Sequence, residues 1–260
     1  KQLTPAMVQS LWRGGTAWGA QEGTQMKLDR LPPVMSFYGS KWRLAPKYPP
    51  PLYDTIIEPF AGAAGYSLLH YKRNVILVER DPKIAGVWHY LLNVSAKELG
   101  ALRCNIQHVD ELVAVPQEAR WLVGFWMGKA SSTPRLQSGN WAVKYSKESY
   151  FWDERTKQRL LYSLPKIHHW KLIQGNFTNS PKMPATWFVD PPYQRAGVRY
   201  KFGSNLLDFA KLGEWCKELL GQVMVCENMG TTWLPFEIFE SAHRGARKHS
   251  IEAIWCNGEI

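Results

Sequence analysis

An apolar, strand-like run within residues 184–193 ends in Asp190-Pro191-Pro192-Tyr193. Each proline fixes its own φ and lacks a backbone N–H, and the residue before a proline is pushed out of the helical region. The strand therefore has to stop here, in a stiff and extended corner. The Asp190 carboxylate and the Pro191 carbonyl can accept hydrogen bonds from one amino group, and the Tyr193 ring offers a flat face beside them. The corner predicts a site for a planar base with an exocyclic amine, although a polar turn after a buried strand would have the same sequence.

A second strand-like segment, 54–58, runs into a loop of small residues, 59–65, and then into a predicted helix that begins at 66–70. Small residues let the backbone approach a ligand closely above a helix N-terminus. The next apolar run, 75–78, is followed by Glu79, and a carboxylate at the tip of a second strand is suited to bind the two hydroxyls of a ribose. Together these features predict a nucleoside cofactor site, although a small-residue turn is often a packing feature only.

The remaining periodic segments alternate between strands and helices. The pattern predicts helices over 83–102 and 206–220 and strands over 171–175, 222–226 and 251–255. The strand at 171–175 would bring Asn176 and Phe177 to the same sheet edge as Glu79. The prediction is an α/β fold of 260 residues, long enough for one large domain and an inserted subdomain.

The charge balance indicates a polyanionic partner. The chain has 32 lysines and arginines against 22 aspartates and glutamates, which gives a net charge of +10. Within 120–160, basic and aromatic residues alternate around a polar loop, which is typical of a nucleic-acid contact surface. A small helical subdomain with solvated charges would look similar. The residues that we predict to contact DNA are Lys129, Arg135, Lys144 and Lys147 here, and Arg195, Arg199 and Lys201 in the loop after the corner.

Cysteine and histidine positions do not predict a metal site. The four cysteines have no short paired spacing, and His168-His169 lacks a second ligand pair, so we expect reduced thiols, structural histidines and no metal. Apolar runs are all much shorter than the roughly 20 residues of a membrane span. We therefore expect no membrane contact and a cytoplasmic location, in a bacterium or a phage-infected cell. Residues 1–33 are expected to form a surface extension.

Five ordered stretches resemble the motifs of one enzyme family. They are Phe37-Tyr-Gly-Ser-Lys41, Glu58-Pro-Phe-Ala-Gly-Ala-Ala-Gly65, Ile76-Leu-Val-Glu79 with its following helix, Gln174-Gly-Asn-Phe177 and the Asp-Pro-Pro-Tyr corner. Over about residues 35–258 the chain resembles the Dam-type, α-group DNA N6-adenine methyltransferases, and Glu252 to Asn257 resembles a final strand of phage-type members. Ser40 replaces the family's second glycine, and Asn176 stands where the family usually has aspartate.

The resemblance implies a Rossmann-like, S-adenosylmethionine-dependent methyltransferase sheet built from 34–103 and 171–260, with a mainly helical and loop recognition insertion at 104–170. It implies methyl transfer to a flipped adenine in double-stranded DNA by a monomer or weak dimer, with Asp190, Pro191, Pro192 and Tyr193 as the catalytic corner. The cofactor residues that it implies are Phe37, Tyr38, Lys41, Glu58, Phe60, Ala61, Gly62, Glu79, Arg80, Asn176, Phe177 and Asp190. No metal is required for this chemistry.

Two alternatives stay open on the sequence alone. The same corner can hold the amine of an RNA adenine or of a cytosine N4, which would keep the fold and change the acceptor. A DNA-binding protein that has kept the fold without the catalytic activity is the other alternative. Failure to bind S-adenosylmethionine would favour it.

Overall fold

Seven strands form the centre of the molecule. The computed structural model describes residues 29–128, 130–138, 152–241 and 251–258. The strands are β1 (Thr55–Glu58), β2 (Asn74–Glu79), β3 (Lys171–Gln174), β4 (Ala185–Val189), β5 (Gly221–Asn228), β6 (Glu237–Ser241) and β7 (Ile251–Cys256). They form one sheet in the order β3-β2-β1-β4-β5-β7-β6.

The sheet direction places the site. β3, β2, β1, β4 and β5 are parallel, and β7 runs antiparallel to both β5 and β6. The strand order reverses between β1 and β4, and ligands of open α/β sheets bind outside the carboxyl ends of the strands at such a switch point. Glu58, Glu79 and Asp190 lie at or directly after the ends of β1, β2 and β4. The arrangement is a Rossmann-like, mostly parallel α/β sheet, and the predicted α/β fold class is confirmed.

Five helices flank the sheet among the described residues, and most begin at a side-chain cap. They are α1 (Pro82–Asn93), α2 (Ala96–Ala101), α3 (Gln117–Trp126), α4 (Glu154–Ile167) and α5 (Phe209–Glu218). Asp81, Ser95, Asp153 and Asp208 each accept a backbone N–H from the first turn of the helix that follows. Such caps satisfy N–H groups that a helix leaves unpaired at its start.

The sheet separates two hydrophobic clusters. One contains Trp187 and Val223 of the sheet together with Phe209 and Leu212 of α5. The other contains Trp88 of α1, Phe125 of α3 and Leu160 of α4, together with strand residues such as Leu77. The described parts of 104–170 therefore share their core with one face of the sheet.

The predicted extension, 1–33, lies mostly outside the described residues, but its last part is packed on the domain. The Leu31 N–H donates to the Leu68 carbonyl at 2.9 Å. The Arg30 guanidinium lies 3.6 Å from the centre of the Trp42 ring. Leu31 is buried in the same cluster as α1. Residues 29–33 are thus anchored to the residues that follow them.

Two local predictions differ from the structure, and one strand has no counterpart in the predictions. Residues 66–70 form turns and no helix, because the Glu58 carboxylate takes the Ser67 N–H at 2.8 Å and Ala64 has a φ of +47°. The helix predicted over 83–102 is two helices, since Ser95 forms a capping box with Glu98 and starts α2. Strand β6 was not predicted.

No helix in the described part of the chain has the length and apolar character to cross a membrane.

Candidate active site

A cavity of about 740 Å³ opens at the carboxyl ends of β1, β2 and β4. Ligand pockets typically measure about 300–1,000 Å³. Its wall includes every predicted catalytic residue: Asp190, Pro191, Pro192 and Tyr193. It also includes the predicted cofactor residues Phe37, Tyr38, Lys41, Glu58, Phe60, Ala61, Gly62, Glu79, Arg80 and Asn176. The structure therefore brings these separate sequence motifs together around one space.

Phe177 is the predicted cofactor residue that does not line the cavity. Its ring stacks on Phe60, with the ring centres 5.4 Å apart and the planes 25° from parallel. On its other side it meets Trp215 edge-on at 4.9 Å. Phe177 thus supports the position of Phe60, which is on the cavity wall. The neighbouring Asn176 side chain caps its own turn by accepting the Phe177 N–H at 2.8 Å.

The small-residue loop after β1 is shaped by close contacts. Gly62 has a φ of +46°, a conformation that favours glycine, and a Cβ there would lie 3.1 Å from the Phe37 ring. The loop is tied to β2, because the Gly62 N–H donates to Glu79 Oε2 at 2.9 Å. The other oxygen of Glu79 accepts the Asp81 N–H at 2.8 Å. Glu79 thereby holds the loop and the start of α1 together while it faces the cavity.

Two of the carboxyl groups at this edge, Glu58 and Glu79, have pKa values that are raised to near neutral pH. Burial raises the pKa of Glu58 to about 8, against hydrogen bonds from Ser67 that lower it. Burial likewise raises the pKa of Glu79 to about 7, against backbone N–H groups of Asp81 and Gly62 that lower it. Both acids are at least nine-tenths buried. They therefore titrate near neutral pH, where an exposed glutamate would be fully ionised.

Lys41 and Asp190 form an ion pair on the cavity wall, with side chains that are 8% and 20% exposed. Lys41 Nζ lies 2.7 Å from Asp190 Oδ1 and 3.3 Å from the Gly39 carbonyl oxygen. Burial alone would lower the pKa of Lys41, but the Asp190 and Glu252 carboxylates outweigh it, and the pKa lies above its usual range. Burial raises the pKa of Asp190, and the Lys41 ammonium opposes that rise. The predicted role of Lys41 is cofactor binding, and in the structure its ammonium contacts the Asp190 and Tyr193 side chains of the corner.

Glu252 of β7 completes this cluster. Its Oε1 lies 3.6 Å from Lys41 Nζ and accepts hydrogen bonds from the hydroxyls of Tyr193 and of Tyr48, the latter at 3.3 Å. Antiparallel pairing with Asn228 of β5 fixes its place beside the corner. Lys41 Nζ also lies 4.6 Å from the centre of the Tyr193 ring. One ammonium, two carboxylates and two tyrosine hydroxyls thus share a largely buried space.

The segment after the corner closes one side of the cavity. The Gly197 N–H donates to the Tyr193 carbonyl at 2.6 Å, and a Cβ at Gly197 would lie 2.6 Å from the Pro192 carbonyl carbon. The Tyr200 hydroxyl donates to the Tyr38 carbonyl at 3.1 Å. The Arg199 carbonyl accepts the Ser132 hydroxyl at 3.1 Å. The loop is therefore joined both to the corner and to the Phe37-x-Gly-Ser-Lys41 segment.

The residues predicted to contact DNA are only partly brought together. Arg199 and Lys201 lie on the cavity wall. The Arg195 guanidinium donates to the Gly230 carbonyl at 2.7 Å. Arg135 packs against Gly128, beside the C-terminal end of α3. Lys129, Lys144 and Lys147 lie outside the described residues.

Sequence reasoning missed several residues of the wall. Glu252, Tyr200 and Phe202 all line the cavity, and Phe202 lies under the Arg80 guanidinium at 4.8 Å. One local signal could have drawn attention to Glu252, a carboxylate in an otherwise apolar final strand. Nothing local indicates Tyr200, whose role depends on contacts with residues more than 150 positions away. The described residues contain no group of three or more His, Cys, Asp or Glu side chains placed to hold a metal ion.

Comparison with known proteins gives structural likenesses but no family or sequence match. No protein-family model matches the chain, and no curated protein sequence matches it. Among solved structures, the chain is similar to YhhF of Escherichia coli, which is named as a methyltransferase. The identity is 13%, the TM-score is 0.32, and the likeness covers 76% of this chain and 74% of that one. The geometry of the cavity, and not this likeness, supports the proposal below.

Proposed function

We propose that the chain is a DNA adenine-N6 methyltransferase that uses S-adenosylmethionine and acts on a flipped adenine in double-stranded DNA. One observation carries the proposal. The Asp190 carboxylate already accepts a hydrogen bond from a nitrogen donor, Lys41 Nζ at 2.7 Å, in the same cavity as the glycine loop and Glu79. An exocyclic amine is the ligand group that could take the place of this donor.

The residues present fit S-adenosylmethionine. Glu79 is a carboxylate at the tip of β2 with one lone pair left on each oxygen, which suits the ribose hydroxyls. Gly62 lies beside the Phe37 ring. Because it has no side chain, a flat nucleoside can lie close to the backbone there. Four largely buried carboxyl groups line the cavity, Glu58, Glu79, Asp190 and Glu252, and the Lys41 ammonium pairs with the last two, which suits a cationic sulfonium. The cofactor would supply an electrophilic methyl group.

The corner residues would promote the transfer by positioning the base and by stabilising the charge that develops on it. Adenine N6 is a weak nucleophile, because its lone pair is delocalised into the ring. Hydrogen bonds from N6 to Asp190 and to the Pro191 carbonyl would favour a pyramidal nitrogen whose lone pair points at the methyl group. N6 would give up one proton as it takes the methyl group, and the Asp190 carboxylate would accept that proton. The Tyr193 ring would stack on the base.

The target base has to leave the duplex to reach this corner. Flipping costs a few kcal/mol, which contacts in the pocket offset. Arg199 and Lys201 lie on the cavity wall, and in this proposal they bind the phosphates beside the flipped base. Of the other residues proposed to contact DNA, Arg135 and Arg195 would do so away from the wall.

The first test is to incubate the purified protein with unmodified duplex DNA and methyl-labelled S-adenosylmethionine and to analyse the nucleosides. The expected product is N6-methyladenine. Label in N4-methylcytosine, or in RNA alone, would replace the acceptor in the proposal. A protein that does not bind the cofactor and labels nothing would overturn it.

The Asp190→Ala variant tests the assigned corner. We expect it to lose methylation by at least a factor of about 10³, because the amine loses its acceptor, with DNA affinity within a few-fold of wild type. The matched control is Asp54→Ala, whose carboxylate is 88% exposed and pairs with Arg73 on the surface. If Asp190→Ala methylates as the control does, the assigned corner is wrong.

A further inference from the structure

Lys41 occupies both positions that a target base would need. Its ammonium binds Asp190 Oδ1 at 2.7 Å, the acceptor for the exocyclic amine. It also lies 4.6 Å from the centre of the Tyr193 ring, on the face where the base would stack. Lys41 in this position and a bound target base therefore exclude one another.

The displaced ammonium needs another partner. The Lys41 side chain is only 8% exposed, and a buried charge without a counter-ion is strongly unfavourable. Among the described residues, Glu252 is the other carboxylate within ion-pair distance of Nζ, at 3.6 Å. Movement of Nζ away from Asp190 and toward Glu252 would bring it to the usual length of a charge-assisted hydrogen bond with Glu252.

Hydrogen bonds and strand pairing fix the position of Glu252 beside Lys41. The hydroxyls of Tyr193 and Tyr48 donate to its Oε1, and pairing of β7 with β5 fixes its backbone. We propose that Glu252 is a positioning residue that receives Lys41 when the target amine takes its place on Asp190. Glu252 would then act on the reaction through Lys41 and would not touch the reacting atoms. This inference rests on the proposed function, because it needs an amine that competes for Asp190.

A structure of the Asp190→Asn variant tests the exchange without any substrate. The substitution removes the charge that holds Lys41 and keeps the shape of the side chain. We expect Lys41 Nζ to move to within about 3 Å of Glu252 Oε1. An Nζ that remains on the Asn side chain, or that turns out to solvent, would show that Glu252 is not the second acceptor.

A kinetic cycle tests whether the exchange matters for methylation. We expect Glu252→Gln to lower kcat about tenfold, because Lys41 then has Asp190 as its one anionic partner and competes better with the amine. The amide oxygen of Gln can still accept from Tyr193, so KM for DNA and cofactor affinity should stay within twofold. In a Lys41→Met background no ammonium has to move. There the same substitution should change kcat by less than twofold.

The outcomes separate the inference from the proposed function. An equal loss from Glu252→Gln in both backgrounds would mean that Glu252 acts only by holding Tyr193, and it would overturn the inference. The matched control is Glu237→Gln on strand β6, which is exposed and should leave kcat unchanged. Wild-type protein that methylates no base would contradict the proposed function. The Asp190→Asn structure would still decide where Lys41 goes.

Discussion

At the scale of single residues, the cavity combines several buried acidic side chains with very few buried basic ones. Glu58, Glu79, Asp190 and Glu252 are largely buried, and Lys41 is the ammonium closest to two of them. Bringing acids together in a low-dielectric space is unfavourable for the fold, since each carboxylate loses solvation. Their presence at the carboxyl edge of the sheet is what a cationic or amine-bearing ligand would compensate.

Glu79 makes the pH dependence of cofactor binding a test of its role. Its pKa is about 7 in the protein because of burial, so it is largely neutral at pH 6 and largely charged at pH 8. A charged carboxylate accepts hydrogen bonds from ribose hydroxyls more strongly. We expect cofactor affinity, measured by calorimetry, to fall by up to about tenfold per unit as the pH drops below 7. In Glu79→Gln the affinity should be lower at pH 8 and nearly constant over this range.

Stability should change with pH in the opposite direction. A carboxyl group whose pKa is raised by folding binds a proton more tightly in the native state. The contribution of Glu79 to the free energy of unfolding is therefore fully present below about pH 4.5 and is lost as the pH rises through about 7. If Glu79→Gln retains the wild-type dependence of cofactor affinity, another acid such as Glu58 is responsible and the ribose assignment is wrong.

At the scale of elements, the contact between the opening motif and the loop after the corner depends on Gly39. It has a φ of +79°, and a Cβ there would lie 2.3 Å from the Tyr200 hydroxyl oxygen. We expect Gly39→Ala to lower the free energy of unfolding by about 1–2 kcal/mol and to break the Tyr200–Tyr38 hydrogen bond. Chemical denaturation measures the first effect. A raised KM for DNA would report the second.

Two further variants separate the clash from the backbone strain. Adding Tyr200→Phe to Gly39→Ala removes the hydroxyl, so the nearest ring carbon is 3.6 Å away and only the strain of a positive φ remains. Gly100→Ala in α2 is the matched control, because nothing lies within 4 Å of its Cβ and alanine favours a helix. It should stabilise the protein by up to about 1 kcal/mol. A Gly39→Ala protein as stable as this control would refute the packing argument.

The same elements show which parts of the fold and of the site could be predicted from the sequence. Strands β1, β2, β4, β5 and β7 could be predicted because apolar runs end at charged residues, prolines or glycines. The turns at 66–70 could not be predicted, because the group that takes the Ser67 N–H is a carboxylate from the preceding strand. The corner and the loop were recognised as motifs. The place of Glu252 beside them depends on the pairing of β5 with β7, which no local pattern encodes.

At the scale of the whole molecule, charge is divided between the interior of the site and the rest of the chain. The cavity holds several buried acids, whereas the whole chain has a net charge of +10. A net positive charge attracts a polyanion, and acidic side chains in the cavity suit a sulfonium and an amine. The two charge patterns are therefore compatible with one enzyme that binds both ligands.

The salt dependence of duplex binding tests whether basic residues of the chain bind the DNA phosphates. The logarithm of the association constant should fall linearly with the logarithm of salt concentration, because phosphate contacts release counterions. Lys201 is exposed on the loop at the cavity wall, so Lys201→Ala should weaken binding to all sequences and reduce the slope by about 1. Lys217→Ala is the control, since that ammonium pairs with Glu214 on α5 at 2.8 Å and should leave the slope unchanged. Fluorescence anisotropy at several salt concentrations measures both. Equal slopes for Lys201→Ala and wild type would mean that this loop does not contact the phosphates.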